Sequence, residues 1–485
     1  MQTGSLRSRT GVVAALPRVG VPARVVPWSK RLQALGAPAC LIALTGAAAL
    51  NGLPVRILGL SVYPEYIALG VVLVWAAGAT VVERRGWYLP PSAVALAAWL
   101  AAELAATLLH APTLHHSLVL WLKLPMLVAT YLLVANLARN RLGQAIATQG
   151  TIAATVGLGA LLCYVSWKAT GSHLGMQQPA RNFGVSWLPA VTLREPDILG
   201  SYLVAGSLLL MPLAVGLWRT GRRHSVAIGV ACVLTVAGTF VSGSRTAWIA
   251  LIAGIGLAGG VSVVSRVLSL RRRGRMQYAP SSGGIGGGVQ KMGPFVVLFV
   301  GIVGVAGAVA GFHGGGMRLV PTFNPNQDGD LLQRVASFGS LARDRNVIVR
   351  LEVDENALLH WQTHALTGWG VGAYGEVYRY PPPDTVHAGW ISNLPIHVMY
   401  DSGLIGLVAF AVAMVMAVRR GIGAWRRSLD ASYRAMVVGL LLALFGLLLA
   451  FQATDATWFA YPWVYLGLLE AAVLSAPSRR SGALA

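Results

Sequence analysis

The sequence predicts an all-α polytopic membrane protein with about twelve transmembrane helices and a large periplasmic loop containing short helices. Of the 485 residues, 55% are hydrophobic and only 11% are charged, against about 25% charged in a soluble domain. Many stretches of about 20 residues carry almost no charge, and this length crosses a hydrocarbon core. Lys and Arg collect between alternate stretches, as they do in cytoplasmic loops.

The apolar stretches are continuous, which favours helices over membrane-barrel strands, because barrel strands alternate over about 10 residues. Helices also satisfy their backbone hydrogen bonds within one segment, as lipid requires. The predicted spans are 33–53, 62–82, 88–109, 117–137, 145–167, 198–218, 225–241, 246–265, 294–312, 396–418, 435–453 and 458–475.

The basic residues orient these spans, with both termini in the cytoplasm. The predicted division is a basic cytoplasmic tail at 1–31, helices 1–9 in 32–312, a large periplasmic loop at 313–395, helices 10–12 in 396–475, and a cytoplasmic tail at 476–485. The apolar run within the first segment is too short for a signal peptide. The net charge of +21 belongs to the cytoplasmic loops, so no nucleic-acid partner is expected.

The outward span ends carry arginines. Arg194 precedes the sixth span, Arg245 lies in a tight turn between the seventh and eighth, and Arg345 and Arg350 lie in the large loop. A guanidinium pairs with phosphate through two parallel hydrogen bonds. These arginines therefore suit an anionic lipid head group or a pyrophosphate. The alternative is that each anchors to lipid phosphate or pairs with a nearby acid.

The histidines and cysteines give no metal signature. His360 and His364 have helical i, i+4 spacing, but no Glu follows the first, as a His-Glu-x-x-His zinc site requires. His387 and His397 flank the start of the tenth span. An outward histidine there is either a general base or a structural residue. The three cysteines lie in apolar stretches as buried thiols, without disulfide or zinc spacing.

A glycine-rich run, Gly370-x-Gly372-x-x-Gly375, matches a dinucleotide-binding fingerprint in letters alone. No strand–turn–helix unit surrounds it, and the fingerprint requires one. We interpret these glycines as positions where backbone packs closely against a helix or a ligand.

Three short motifs follow one another on the outward side of the predicted spans. The first is Ser242-Gly-Ser-Arg-Thr-Ala-Trp248, at the start of the eighth span. The second is Arg350 followed by His364-Ala-Leu-Thr-Gly-Trp-Gly-Val-Gly-Ala-Tyr374. The third combines Ser392-Asn-Leu with Asp401-Ser-Gly-Leu-Ile-Gly406.

In order, spacing and membrane side, these motifs resemble the bacterial O-antigen ligase and polymerase superfamily. Arg194 ahead of Pro196 and Asp197 resembles the family's Arg before a Pro-Asn pair. The likeness covers residues 190–420 by motif and the whole chain by span layout. Ser392 stands where ligases carry a histidine, which favours a polymerase; either His387 or His397 substitutes as the base, or this protein needs no histidine there.

The resemblance implies a glycosyltransferase of the bacterial inner membrane that transfers or polymerises a glycan from undecaprenyl pyrophosphate at the periplasmic face. Its implied partners are the lipid-linked glycan donor, a glycan or lipid acceptor, and membrane lipids. No cofactor and no metal ion are expected. The implied catalytic residues are Arg194 and Arg245 as pyrophosphate clamps and His387 as base. The implied substrate-binding residues are Arg350, Arg345, His364 and Asn393.

The alternative function is a polysaccharide-lipid flippase or another twelve-span transporter, because that span count is common among transporters. Transporters of this size usually have two matching halves with a site at the bilayer midplane. Here the halves differ, and the candidate charges lie at the outer ends of the spans. A scaffolding membrane protein is a further alternative, but such a protein needs no cluster of arginines.

Overall fold

The computed structural model describes residues 28–50, 55–57, 60–83, 87–177, 188–193, 195–217, 222–276, 338, 345–377 and 390–476. The helices within them are α1 Trp28–Ala49, α2 Pro64–Glu83, α3 Pro91–His110, α4 Leu114–Trp121, α5 Lys123–Ala138, α6 Leu142–Thr170, α7 Pro196–Leu217, α8 Arg222–Val241, α9 Arg245–Met276, α10 Arg345–Trp361, α11 Ala373–Val377, α12 Leu394–Arg427, α13 Ala431–Ala450 and α14 Ala460–Leu474. A short 3-10 helix, Gln362–His364, follows α10.

Seven of these helical segments are long and apolar enough to cross a membrane: Pro91–His110, Leu114–Ala138, Leu142–Thr170, Pro196–Gly216, His224–Val241, Leu394–Arg427 and Ala431–Ala450. Four shorter apolar helices are Gly36–Ala49, Pro64–Thr80, Arg245–Gly260 and Ala460–Leu474. The all-α polytopic class is therefore confirmed. The count of twelve stays a prediction, and the ninth predicted span, 294–312, lies outside the described residues.

Two helices form the centre of the bundle. In α7, 83% of the apolar span is buried, and almost every residue of α14 is buried. α7 packs along α8 and α13, α14 packs along α5, and α12 packs along α3. The peripheral helices expose Val and Leu side chains such as Val74 and Leu109, as expected of surfaces that face lipid.

The helices differ from the predicted spans in three places. The fourth predicted span is two helices, α4 and α5, which meet at Leu122. α9 and α12 extend beyond their predicted ends, to Met276 and Arg427. Two antiparallel strand pairs, Val55–Ile57 with Leu60–Val62 and Met176–Gln177 with Leu188–Pro189, were not predicted. Such short pairs carry no hydrophobic periodicity that sequence reasoning can detect.

The large loop contains a helix where the sequence predicts one. α10 is one of the short helices predicted for this loop, and the glycine-rich run follows it. The loop docks on a break in α12, where the amides of Trp369 and Gly370 donate to the carbonyls of Tyr400 and Asp401, at 2.9 Å each. The interpretation of the run as a close backbone contact is confirmed.

Gly403 makes this break possible. Its φ of 66° and ψ of −170° interrupt the helical backbone of α12, and a side chain there would collide with the carbonyl of Leu366. We expect Gly403→Ala to destabilise the protein by about 2 kcal/mol or more, from backbone strain and the forced separation of loop and helix. Thermal unfolding of the two proteins in detergent measures this loss of stability.

A matched control for this substitution is Gly70→Ala, on an exposed position of α2 where no atom lies within 4 Å of an added Cβ. That substitution should leave the melting temperature unchanged or raise it slightly. Equal melting temperatures for the two variants would contradict a structural role for Gly403.

Candidate functional site

Arg350 joins three parts of the chain at one end of the bundle. On α10, its Nη2 lies 2.9 Å from Asp197 Oδ2, in the first turn of α7. Its Nη1 donates to the carbonyl of Ala453, between α13 and α14. The two ionic side chains are 33% and 30% exposed, so solvent screens the pair and its contribution to stability is small. Its main effect is to hold the loop helix against the start of α7 and the segment between α13 and α14.

The turn that carries Arg245 packs against the same end of α7. Ser242 and Ser244 are buried, and Gly243, at φ 68°, reverses the chain so that α9 begins at Arg245. A Cβ added at Gly200 would lie 2.6 Å from Ser244 Cβ, so the turn contacts α7 directly. Gly200 is three residues from Asp197, about one helical turn. The Arg245 turn and the Arg350–Asp197 pair therefore share one end of α7.

The segment between α13 and α14, 451–459, connects this neighbourhood to a second. The carbonyl of Phe451 accepts from the amide of Leu394, 2.8 Å away, at the start of α12. Asn393 caps α12 by accepting from the amide of Ile396 and donates to the carbonyl of Gln452 at 3.2 Å. With Ala453 bound to Arg350, this segment couples the loop helix to the N-terminal end of α12.

The second neighbourhood centres on His397, which is 4% exposed. Its Nδ1 lies 2.5 Å from Asp455 Oδ2, and its Nε2 lies 3.3 Å from Asp401 Oδ2. Asp455 also accepts from the amide and the hydroxyl of Thr457. Both ring nitrogens thus face carboxylates, and neither is directed at open space. The arrangement holds an imidazole between two buried acids.

A third acid approaches this group from α3. Glu103 is 2% exposed and accepts from Trp99 Nε1 at 2.8 Å, and it interacts with Asp401 and Ser402. Glu103 Oε2 and Asp401 Oδ1 are buried and have no hydrogen-bond partner among the described residues. Buried ionisable groups without full pairing mark functional sites by default in membrane proteins.

A cleft of about 580 Å³ opens beside His397 and the glycine-rich run. It is lined by Thr113, His116, Leu120, Gly372, Gly375, Glu376 and Trp390. The Trp390 ring lies 4.6 Å from the His397 ring, centroid to centroid, and Gly370, in the same glycine-rich run as Gly372, donates from its amide to the carbonyl of Asp401 at 2.9 Å. One wall of the cleft therefore contacts the His397 group. Its volume is within the range of small-molecule sites, about 300–1,000 Å³.

His364 belongs to a cluster of rings at the C-terminal end of α3. Its ring lies 4.0 Å from that of His110 and 4.4 Å from that of Trp369, centroid to centroid, and Trp369 stacks on His360 at 4.0 Å. His360 Nδ1 lies 2.7 Å from the Tyr400 hydroxyl. Burial and the neighbouring His364 lower the pKa of His360 below its usual value of 6.5. The cluster ties the glycine-rich run to α3.

The predicted site residues fall into three groups. Arg245, Arg350, His364 and Asn393 are described, and all four lie around the C-terminal end of α3 and the N-terminal ends of α7 and α12, as set out above. Arg345 begins α10, and its side chain lies outside the described part. Arg194 and His387 also lie outside the described residues. The catalytic and substrate-binding roles of all seven stay predictions.

Sequence reasoning missed the group formed by Glu103, His397, Asp401 and Asp455. Two signals were available, a glutamate inside the apolar third span and the i, i+4 pair His397 and Asp401 at the start of the tenth. Ionisable residues in such positions are rare enough to mark a site. The pairing of His397 with Asp455, 58 residues away, had no local signal.

Asp354, on the same helix as Arg350, should make stability depend on pH. Burial raises the pKa of Asp354 from 3.8 to about 6, although Arg350 opposes the rise. Between these values the unfolded carboxyl ionises while the folded one stays protonated, so stability falls as pH rises from about 4 to about 6. We expect Asp354→Asn to match the wild type at pH 4 and to melt higher at pH 7.5. A constant difference in melting temperature across this range would contradict the assignment.

Comparison with known proteins agrees with this geometry. Residues 230–411 match the family model described as O-antigen ligase, and no match was found among curated proteins. The matched segment contains the Arg245 turn, α10, the glycine-rich run, His397 and Asp401, which are the parts that converge at one end of the bundle. Residues 230–411 are therefore similar to the O-antigen ligase family, and this match supports the resemblance to the O-antigen ligase and polymerase superfamily.

Proposed function

We propose that this protein transfers or polymerises a glycan from a polyprenyl-pyrophosphate donor at the periplasmic face of the bacterial inner membrane. One observation carries the proposal. The Arg245 turn and the Arg350–Asp197 pair meet at one end of α7, within or beside the segment that matches the O-antigen ligase family. The match to the O-antigen ligase family supports a glycosyl-transferring membrane enzyme, and the arginines suit a diphosphate leaving group.

The proposed reaction is a substitution at the anomeric carbon of the donor glycan. A hydroxyl oxygen of the acceptor forms the new C–O bond, while the bond between the anomeric carbon and the pyrophosphate oxygen breaks. The lipid pyrophosphate leaves with the electron pair, and the hydroxyl proton passes to a base. Arg194 and Arg245 stabilise the charge that develops on the leaving group, because fixed donors are strongest where charge appears in the transition state.

The remaining predicted residues have supporting roles in this proposal. Arg345 and Arg350 hold the pyrophosphate or the loop that covers it, while His364 and Asn393 bind the glycan or the segments around it. His387 is the proposed base. We do not assign that role to His397, because both of its ring nitrogens face the buried carboxylates of Asp401 and Asp455.

Reconstitution tests the proposal. The purified protein in liposomes, supplied with a lipid-linked oligosaccharide on the outer leaflet and without nucleotide sugars or added metal, should yield longer glycans or a new conjugate. Release of polyprenyl pyrophosphate in equal amount should accompany the product. Movement of the lipid-linked glycan between leaflets without any new glycosidic bond would overturn the proposal and favour a flippase.

A further inference from the structure

The cleft between α4 and the glycine-rich run is chemically distinct from the arginine neighbourhood. The residues that line it include Glu376, Thr113 and His116, which carry polar side chains, and Trp390, whose side chain is aromatic. Glu376 Oε2 is buried and has no hydrogen-bond partner among the described residues. A buried acceptor without a partner carries a desolvation cost that a ligand hydroxyl would remove.

From these groups we infer that the cleft binds the acceptor saccharide, with Glu376 accepting a hydrogen bond from a sugar hydroxyl and Trp390 contacting an apolar face of the sugar ring. This inference rests on the proposed function, and it assigns the acceptor, the second substrate of the proposed reaction, to the cleft. A carboxylate repels a pyrophosphate, so the cleft does not suit the leaving group of the donor. A neutral polyhydroxyl ligand satisfies both the carboxylate and the aromatic side chain.

The position of the cleft supports this assignment. Trp390 contacts His397 on one side, and Tyr374, two residues before Glu376, donates from its hydroxyl to the carbonyl of Val353 on α10 at 3.3 Å. Val353 lies one helical turn from Arg350. A sugar in the cleft would therefore lie between the buried His397 group and the loop helix that carries Arg350, where a second substrate must approach the donor.

Two variants test the cleft with purified protein in nanodiscs. The probe is the repeat-unit oligosaccharide released from the host's lipid-linked glycan by mild acid, and its binding is followed by saturation-transfer NMR. Glu376→Gln should weaken binding about tenfold, because a hydrogen bond to a charged acceptor becomes a neutral one. Trp390→Phe should weaken it several-fold. Both should raise the KM for the acceptor and leave the KM for the lipid-linked donor unchanged.

The matched control is Glu355→Gln, which removes an exposed carboxylate from α10 in the same loop and should change neither binding nor KM. Wild-type protein that transfers glycan but does not bind the probe, or variants with unchanged affinity, would overturn the acceptor site and leave the proposed function intact. Binding that depends on Glu376 without any transfer would support the site and contradict the enzyme activity.

Discussion

Replacing Arg245 with alanine is expected to lower glycan transfer by about 100- to 1,000-fold, the usual loss when one fixed donor to a developing negative charge is removed. The reason is geometric, because the buried turn of Ser242 and Ser244 holds α9 so that Arg245 begins the helix beside α7. Delivery of the donor to the outer leaflet should not change. Single-turnover transfer from a lipid-linked oligosaccharide measures the effect.

Two further variants sharpen this result. Arg245→Lys keeps the charge but loses the bidentate geometry, so it should recover only part of the rate. Arg426→Ala removes an exposed arginine from the opposite end of α12 and should transfer at the wild-type rate. Full activity in Arg245→Ala would show that Arg245 does not stabilise the leaving pyrophosphate. Accumulation of the donor on the inner leaflet would instead indicate a flippase.

Replacing His397 with alanine is expected to destabilise the protein by about 3–5 kcal/mol, the usual cost of removing one partner from a buried ionic group. The substitution leaves Asp401 and Asp455, both under 5% exposed, without the imidazole that lies between them. It also loosens the contact between the start of α12 and the segment that precedes α14. Unfolding in mixed micelles with increasing SDS, followed by tryptophan fluorescence, measures the change.

The coupling between His397 and Asp455 can be separated from the loss of packing. In the double variant His397→Ala with Asp455→Asn, no unpaired charge remains at position 455, so its destabilisation should be less than the sum of the two single effects. His115→Ala, at an exposed position on α4, is a control of the same residue type and should be neutral. Strict additivity would show that the two side chains do not interact.

The fold could be predicted in class and in most of its elements, because transmembrane helices are encoded locally. A run of about 20 apolar residues specifies a spanning helix whatever its neighbours are, and eleven apolar helices coincide with predicted spans. The break at Leu122 and the interruption at Gly403 were not predicted. Both occur inside segments whose mean hydropathy is that of a single span, and mean hydropathy does not distinguish one long helix from two.

The candidate site could be predicted only where its residues carry their own signal. Arg245 was identified from its place in a tight turn between two predicted spans, and Arg350 from a motif in the large loop. Glu376 and Trp390 were missed because an acidic and an aromatic residue in a polar loop have no distinguishing pattern. They are recognisable only from the cleft that they line together.

The sequence by itself predicted a multi-span helical membrane protein that resembles the O-antigen ligases, because hydrophobic length and short motifs are properties of contiguous residues. Only the tertiary structure decided which charges meet. Arg350 pairs with Asp197 across 153 residues, and His397 with Asp455 across 58. Such pairs depend on which helix ends packing brings together, and composition and spacing along the chain carry no information about that.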